Sequence, residues 1–191
     1  MLPVQQPRRT FLQTSVIGFC TAIFASLPKI SFARSNVNDK GIVVHEDEGE
    51  HLLTGRRRAP ITIKISKAKH QIDNLSFCTE DIISNDRIRV HKHLNEDEFV
   101  FIHKGEGVFI LDDQRIIVKA GTILFVPKDT WHGLENTGKE TIRMLFGYSP
   151  AGFEGYFKEN GTLAGAPAQE RTAEQYAATE KKYGIVFKDK R

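Results

Sequence analysis

The stretch Val90-His91-Lys92-His93-Leu94-Asn95-Glu96-Asp97-Glu98 sets two histidines two positions apart, ahead of an acidic run. On a β-strand successive side chains point to opposite faces, so His91 and His93 share a face and Lys92 turns away. Two imidazoles on one face can chelate a single metal ion. A carboxylate on the next strand would be a third ligand. His132 follows the strand-like run 121–126 and the turn at Pro127, and would be a fourth. Three neutral imidazoles and one carboxylate suit one mid-row divalent ion: iron, manganese, nickel, copper or zinc. Glu96 and Asp97 fall in the loop after His93, whereas Glu98 opens a strand on whose face Val100 and Ile102 follow. Glu98 is therefore the expected ligand and Asp97 the second choice. His103 falls on the opposite face and is left out.

The elements that must hold these residues are strands. From Ile61 the pattern has period two, with Ile61, Ile63 and Ile65 alternating with Thr62 and Lys64. Runs at 75–83, 88–92, 98–103, 107–111, 115–118, 122–126 and 141–148 follow. Turn residues separate them, among them Asn85-Asp86, Gly105-Glu106-Gly107, Asp112-Asp113 and Gly138. Many short strands with regular turns predict an all-β sandwich or barrel. Alternate residues of a small barrel project into its interior, where the ligands would converge.

Taken with their spacing, these residues resemble the two sequence motifs of the cupin superfamily. His91, His93, Glu98 and Gly105 stand at the spacing of the first motif, with Asn85 in place of its leading glycine. Gly121, Pro127, His132 and Asn136 match the second, with Asp129 in place of its second glycine. Asn and Asp both tolerate the left-handed backbone that such turns demand. The motif spacing also favours Glu98 over Asp97. The resemblance covers roughly residues 60–150. It implies a cupin jelly-roll β-barrel, a metal held by His91, His93, Glu98 and His132, and a homodimer as a common assembly.

The flanks read differently. Arg8-Arg9-Thr10-Phe11-Leu12 resembles a twin-arginine export signal, the apolar run 16–27 is too short to span a bilayer, and Ser31-Phe32-Ala33 resembles a cleavage site. Residues 1–33 are thus expected to be a signal peptide. The mature protein would be periplasmic or secreted, with no stable membrane anchor. Residues 34–60 form a polar lead-in whose acidic run, with His45 and His51, has the spacing of a solvated loop rather than a compact site. Residues 61–150 form the barrel and 151–191 a helical extension. In that extension a helix is expected over 167–183, with Pro167 at its first position, Gly184 just past its end, and Ala173, Tyr176 and Ala177 as a packing stripe.

Length and composition narrow the rest. The 191 residues suit one domain with extensions. The formal charge of +3 comes from the leader: without Arg8, Arg9 and Lys29, 24 basic residues face 24 acidic ones. That balance gives no support for nucleic-acid binding. Beyond the leader only Cys78 remains, so no disulfide can form within the processed chain. The expected partner is a small molecule. The expected activity is that of a metal-dependent oxidoreductase, dioxygenase-like, on a small aromatic or enolisable compound, with Glu98 also able to serve as a base. A non-catalytic ligand- or metal-binding cupin and a metal-dependent isomerase or lyase are the alternatives.

Overall fold

Alternation between buried and exposed residues along each strand builds two facing antiparallel sheets. The structure is a computed structural model that describes residues 41–55 and 58–189. Its strands are β1 (Glu50–Thr54), β2 (Ala59–Ile65), β3 (Phe77–Ile82), β4 (Arg87–His93), β5 (Asp97–Lys104) and β6 (Glu106–Leu111). They continue with β7 (Gln114–Lys119), β8 (Ile123–Val126), β9 (His132–Glu135), β10 (Ile142–Ser149), β11 (Gly161–Leu163) and β12 (Ile185–Phe187). Three helices complete the described residues: α1 (Lys67–His70), α2 (Glu154–Asn160) and α3 (Ala173–Tyr183). One sheet runs β11-β1-β2-β3-β10-β5-β8 and the other β12-β4-β9-β6-β7. This is the all-β architecture expected from the strand pattern, in the jelly-roll form that the resemblance implied.

The core lies between the sheets. In β5, Glu98, Val100 and Ile102 are buried while His103 is exposed, as period two requires. Cys78, Ile82, Phe109, Val118, Leu134, Met144 and Phe146 join Val100 and Ile102 in one apolar cluster. Such a core stabilises by about 25 cal/mol for each Å² of apolar surface removed from water. Cys78 is a fully buried core thiol.

The motif turns adopt the backbone their sequence anticipates. Asn85 and Asp129, standing where glycine is usual, have φ of 63° and 66°. Asn136 is no ligand. Its Nδ2 donates to the carbonyls of Ile82 and Glu140, and its Oδ1 accepts from the Gly138 amide, so it locks the loop beneath the barrel. Among its described residues the lead-in brings no metal-ligating cluster together. The carbonyls of His45, Glu46 and Glu48 converge on the Lys64 ammonium at 2.8, 2.6 and 2.6 Å.

The C-terminal region departs from expectation in two ways. First, α3 begins at Ala173 rather than at Pro167. Thr172 caps it through a reciprocal pair with Gln175. The preceding residues are engaged elsewhere: the Gln169 amide donates to Thr162 Oγ1, and Arg171 Nη1 donates to the Glu159 carbonyl. Tyr176 and Thr179 are the buried positions of α3, whereas Ala173 and Ala177 are exposed. Second, the extension is not only helical. β11 adds to the edge of one sheet, and β12 pairs with β4 in the other. Residues 1–33, on which the export-signal reading falls, lie outside the described residues. Among the described residues no helix is long and apolar enough to cross a membrane.

Candidate metal centre

Three strands bring the four expected ligands together. β4 supplies His91 and His93, β5 supplies Glu98 and β9 supplies His132. His91 and His132 are register partners across the β4–β9 pair. One ligand atom from each of the four residues lies within 4.8 Å of the others, and all four residues are buried. A four-ligand site of this type could hold one divalent ion.

The hydrogen bonds orient the rings for that role. His91 Nδ1 lies 2.7 Å from the Arg89 carbonyl, and His132 Nδ1 lies 2.9 Å from the Thr130 carbonyl. A carbonyl only accepts, so each Nδ1 carries the proton and each Nε2 is turned toward the cluster. His93 has both ring nitrogens buried without a hydrogen-bond partner. Its Nε2 is 3.4 Å from Glu98 Oε2, but not aligned for a hydrogen bond. An unpaired buried imidazole is costly, and a cation among these donors would satisfy it.

Charge points the same way. His132 Nε2 and Glu98 Oε2 are 2.7 Å apart. Two lone pairs do not approach so closely unless a proton or a cation lies between them. Burial pushes the Glu98 carboxyl upward, but His132 and His93 more than reverse this and hold it well below the usual carboxylate range. Burial lowers His132 too, yet the Glu98 carboxylate raises it above its ordinary value overall. His91 is held well below its ordinary value, first by burial and then by His132 and His93. Burial also lowers His93. Without metal the site is therefore a carboxylate and one imidazolium beside two neutral imidazoles. The donor set fits a divalent cation, which would take the place of that proton.

The rest of the acidic run goes elsewhere. Asp97 Oδ1 accepts from the Lys128 amide. Glu96 is buried beside the site without joining it, its carboxyl pushed up to about 7 by burial and then by Glu154. Trp131 stands outside the cavity, with the Lys92 ammonium 5.0 Å from its ring centroid.

His91 and Glu98 open onto a cavity of about 430 Å³. The barrel contributes Glu80, Met144, Phe146 and Tyr148 to its wall, and Phe153, Phe157, Asn160 and Tyr176 come from beyond residue 150. Tyr148 is the register partner of Glu98. Burial, then the Glu98 charge, pushes its phenol well above the ordinary tyrosine value, so it stays neutral. The sequence reading assigned the C-terminal segment to packing and missed these wall residues. The available signal was aromatic density, with Phe153, Tyr156, Phe157 and Tyr176 in a short span.

Fold and site together resemble those of a cupin domain. Residues 80–148 match the cupin domain family. Over 58 residues the chain is 36% identical to an oxalate-binding protein of Thermotoga maritima, covering 30% of this chain and 48% of that one. Over 68 residues it is 32% identical to the dimethylsulfoniopropionate lyase DddW of Ruegeria pomeroyi, covering 36% and 43%. The chain spans about half the length of the curated relatives it matches. The crystal structure of a predicted oxalate decarboxylase from Thermotoga maritima superposes with a TM-score of 0.50 at 26% identity, covering 57% of this chain and 99% of that one.

Proposed function

We propose that this chain is an exported metalloenzyme, an oxidoreductase acting on a small aromatic or enolisable compound. The observation that carries this reading is that His91 and Glu98, two members of a buried three-histidine, one-carboxylate cluster, open onto a cavity whose wall includes seven phenylalanine and tyrosine side chains. An apolar pocket with a few convergent polar groups is the default ligand site. A divalent ion held there would supply Lewis acidity and a template for an oxygen-bearing ligand.

The chain's own residues supply the rest. His91 and His132 keep their Nε2 atoms aimed inward through their carbonyl-bound Nδ1 protons. Glu98 is ionised, lines the cavity and can accept a proton from an enol or phenol. Tyr148 stays a neutral phenol and can donate toward a ligand oxygen. Phe146 and Phe153 exclude water, which strengthens each of these polar contacts.

The test supplies flavonols, catechols and 1,3-diketones to protein loaded separately with iron, manganese, nickel and copper. Oxygen uptake and product spectra are followed, with Glu98→Gln as control. Oxygen-dependent turnover that Glu98→Gln abolishes is expected. The similarity to an oxalate-binding protein favours a second reading, a binder of small oxygen ligands. No turnover in any combination, with tight binding of an organic acid, would decide for it. Product formation without oxygen would point instead to a lyase or isomerase.

A further inference from the structure

The cavity has a second polar feature, carried beside the sheet edge opposite the one near Glu98. Asn160 is the last residue of α2, directly before the edge strand β11. Four strands, β1, β2, β3 and β10, separate β11 from the strand that carries Glu98. Asn160 lines the cavity and is 8% exposed, yet its Oδ1 and Nδ2 are both buried without a hydrogen-bond partner. Buried amides are almost always paired, because an unpaired one forfeits its hydration for nothing. Here a donor and an acceptor stand unmet together, in a cavity whose wall also includes Tyr156, Phe157 and Tyr176.

These wall residues share an origin. They come from beyond residue 148, outside the segment that matches the cupin domain family. The metal cluster lies within that segment. The candidate metal ligands and these wall residues thus sit on different parts of the chain.

We infer that the C-terminal segment is the selectivity wall of this cavity, and that Asn160 reads a hydroxyl at the end of an elongated aromatic ligand remote from the metal cluster. The inference rests on the reading of that cluster as a metal centre that takes a ligand oxygen. A hydroxyl both donates and accepts, so one group satisfies both orphaned atoms of the amide. Flat aromatic walls suit a ring system between the two polar ends. Reading a hydroxyl with a buried amide also gives strong discrimination, because the analogue without it leaves the amide unpaired.

The experiment uses zinc-loaded protein, so that binding is read without redox turnover. The probes are 3-hydroxyflavone and 3,4'-dihydroxyflavone, which share the metal-ligating end and differ only in the remote hydroxyl. Fluorescence titration should show the dihydroxy probe binding at least about tenfold tighter to the parent. Asn160→Leu should bring that ratio near one while zinc content is unchanged. Its melting temperature should equal or exceed the parent's, because two unpaired polar atoms have been removed. Asn160→Ala is the second variant, and it should lose the ratio in the same way. Equal ratios in parent and variants would overturn the inference, as would binding of neither probe. A lower melting temperature in both variants with the ratio kept would assign Asn160 a structural role instead. Failure of the oxidoreductase reading looks different: the ratio would still respond to Asn160, with no oxygen uptake under any metal.

Discussion

His132 Nε2 lies 2.7 Å from Glu98 Oε2, deep in the barrel, with both residues nearly inaccessible to solvent. In the metal-free protein a proton holds the two together. His132 is raised above its ordinary value of 6.5 and Glu98 is lowered below its ordinary 4.5. A raised histidine contributes stability that is full below 6.5 and is lost as pH rises through its folded value. A lowered carboxyl contributes stability that is present above 4.5 and is lost as pH falls through its folded value. Both contributions are thus complete between 4.5 and 6.5.

A metal ion must displace that proton, and His132 is raised above 6.5, so binding at pH 6.5 should release more than half a proton per ion. Calorimetry in buffers of different ionisation enthalpy measures this number. Metal affinity should climb with pH up to the raised value of His132 and then level off. Zero proton release, with full metal occupancy, would contradict the charge assignment.

Removing one ligand should separate metal binding from folding. His93→Ala should lose most of the metal, because a buried site cannot replace a ligand from solvent. The fold should remain β-rich, since the variant also removes an imidazole with no hydrogen-bond partner. With the ion at a hundred times its Kd, the parent gains about 2.7 kcal/mol of stability. That gain should vanish in His93→Ala, and likewise in the His91, Glu98 and His132 variants. Metal content by elemental analysis and melting curves with and without the ion check both points. Parent-like metal content in all four variants would dismiss the site.

The clustering of these four side chains was legible in the sequence because strand geometry is rigid. Period two puts His91 and His93 on one face whatever the rest of the chain does, and the same rule placed Glu98 inward and His103 outward. Asn85 and Asp129 were legible for a similar reason, as residues that bear positive φ. The C-terminal region was harder because its structure depends on partners distant in sequence. Residues 167–171 have helix-like composition, but Thr162, Glu159 and Thr179 engage them instead. The strand β12 has three residues and exists because β4 offers it an edge. No local pattern shows that Asn160 faces a cavity, since much of the opposing wall is far away along the chain, with Ala59 at 101 residues and Glu98 at 62 residues from it.

Export is tested on the precursor. Arg8→Lys combined with Arg9→Lys should keep the protein in the cytoplasm at full length, because the paired arginines are the expected recognition feature of residues 1–33. Cell fractionation and the mass of the exported form report the outcome. A parent beginning near residue 34 outside the cytoplasm is expected. Normal export of the double variant would mean another route. Folding before export would also let the site fill where copper and zinc compete less for it.

The C-terminal strand should matter to the metal without touching it. Phe187 is the register partner of His91 across the β12–β4 pair, with ring centroids 5.8 Å apart, and the Arg89 guanidinium lies 4.4 Å from the Phe187 ring centroid. The Arg89 carbonyl is the group that fixes the His91 ring. Phe187 therefore buttresses both the ring and the residue that orients it. Phe187→Ala should cost about 0.5–3 kcal/mol of stability, as most partly buried truncations do. It should also weaken metal binding by about tenfold, the lower range for groups that orient ligands from behind. Phe187→Leu, which keeps bulk, should recover most of both. Competition with a chelator of known affinity measures the metal term, and chemical denaturation of the metal-free protein measures the stability term separately. Unchanged metal affinity in Phe187→Ala, alongside the stability loss, would confine β12 to packing.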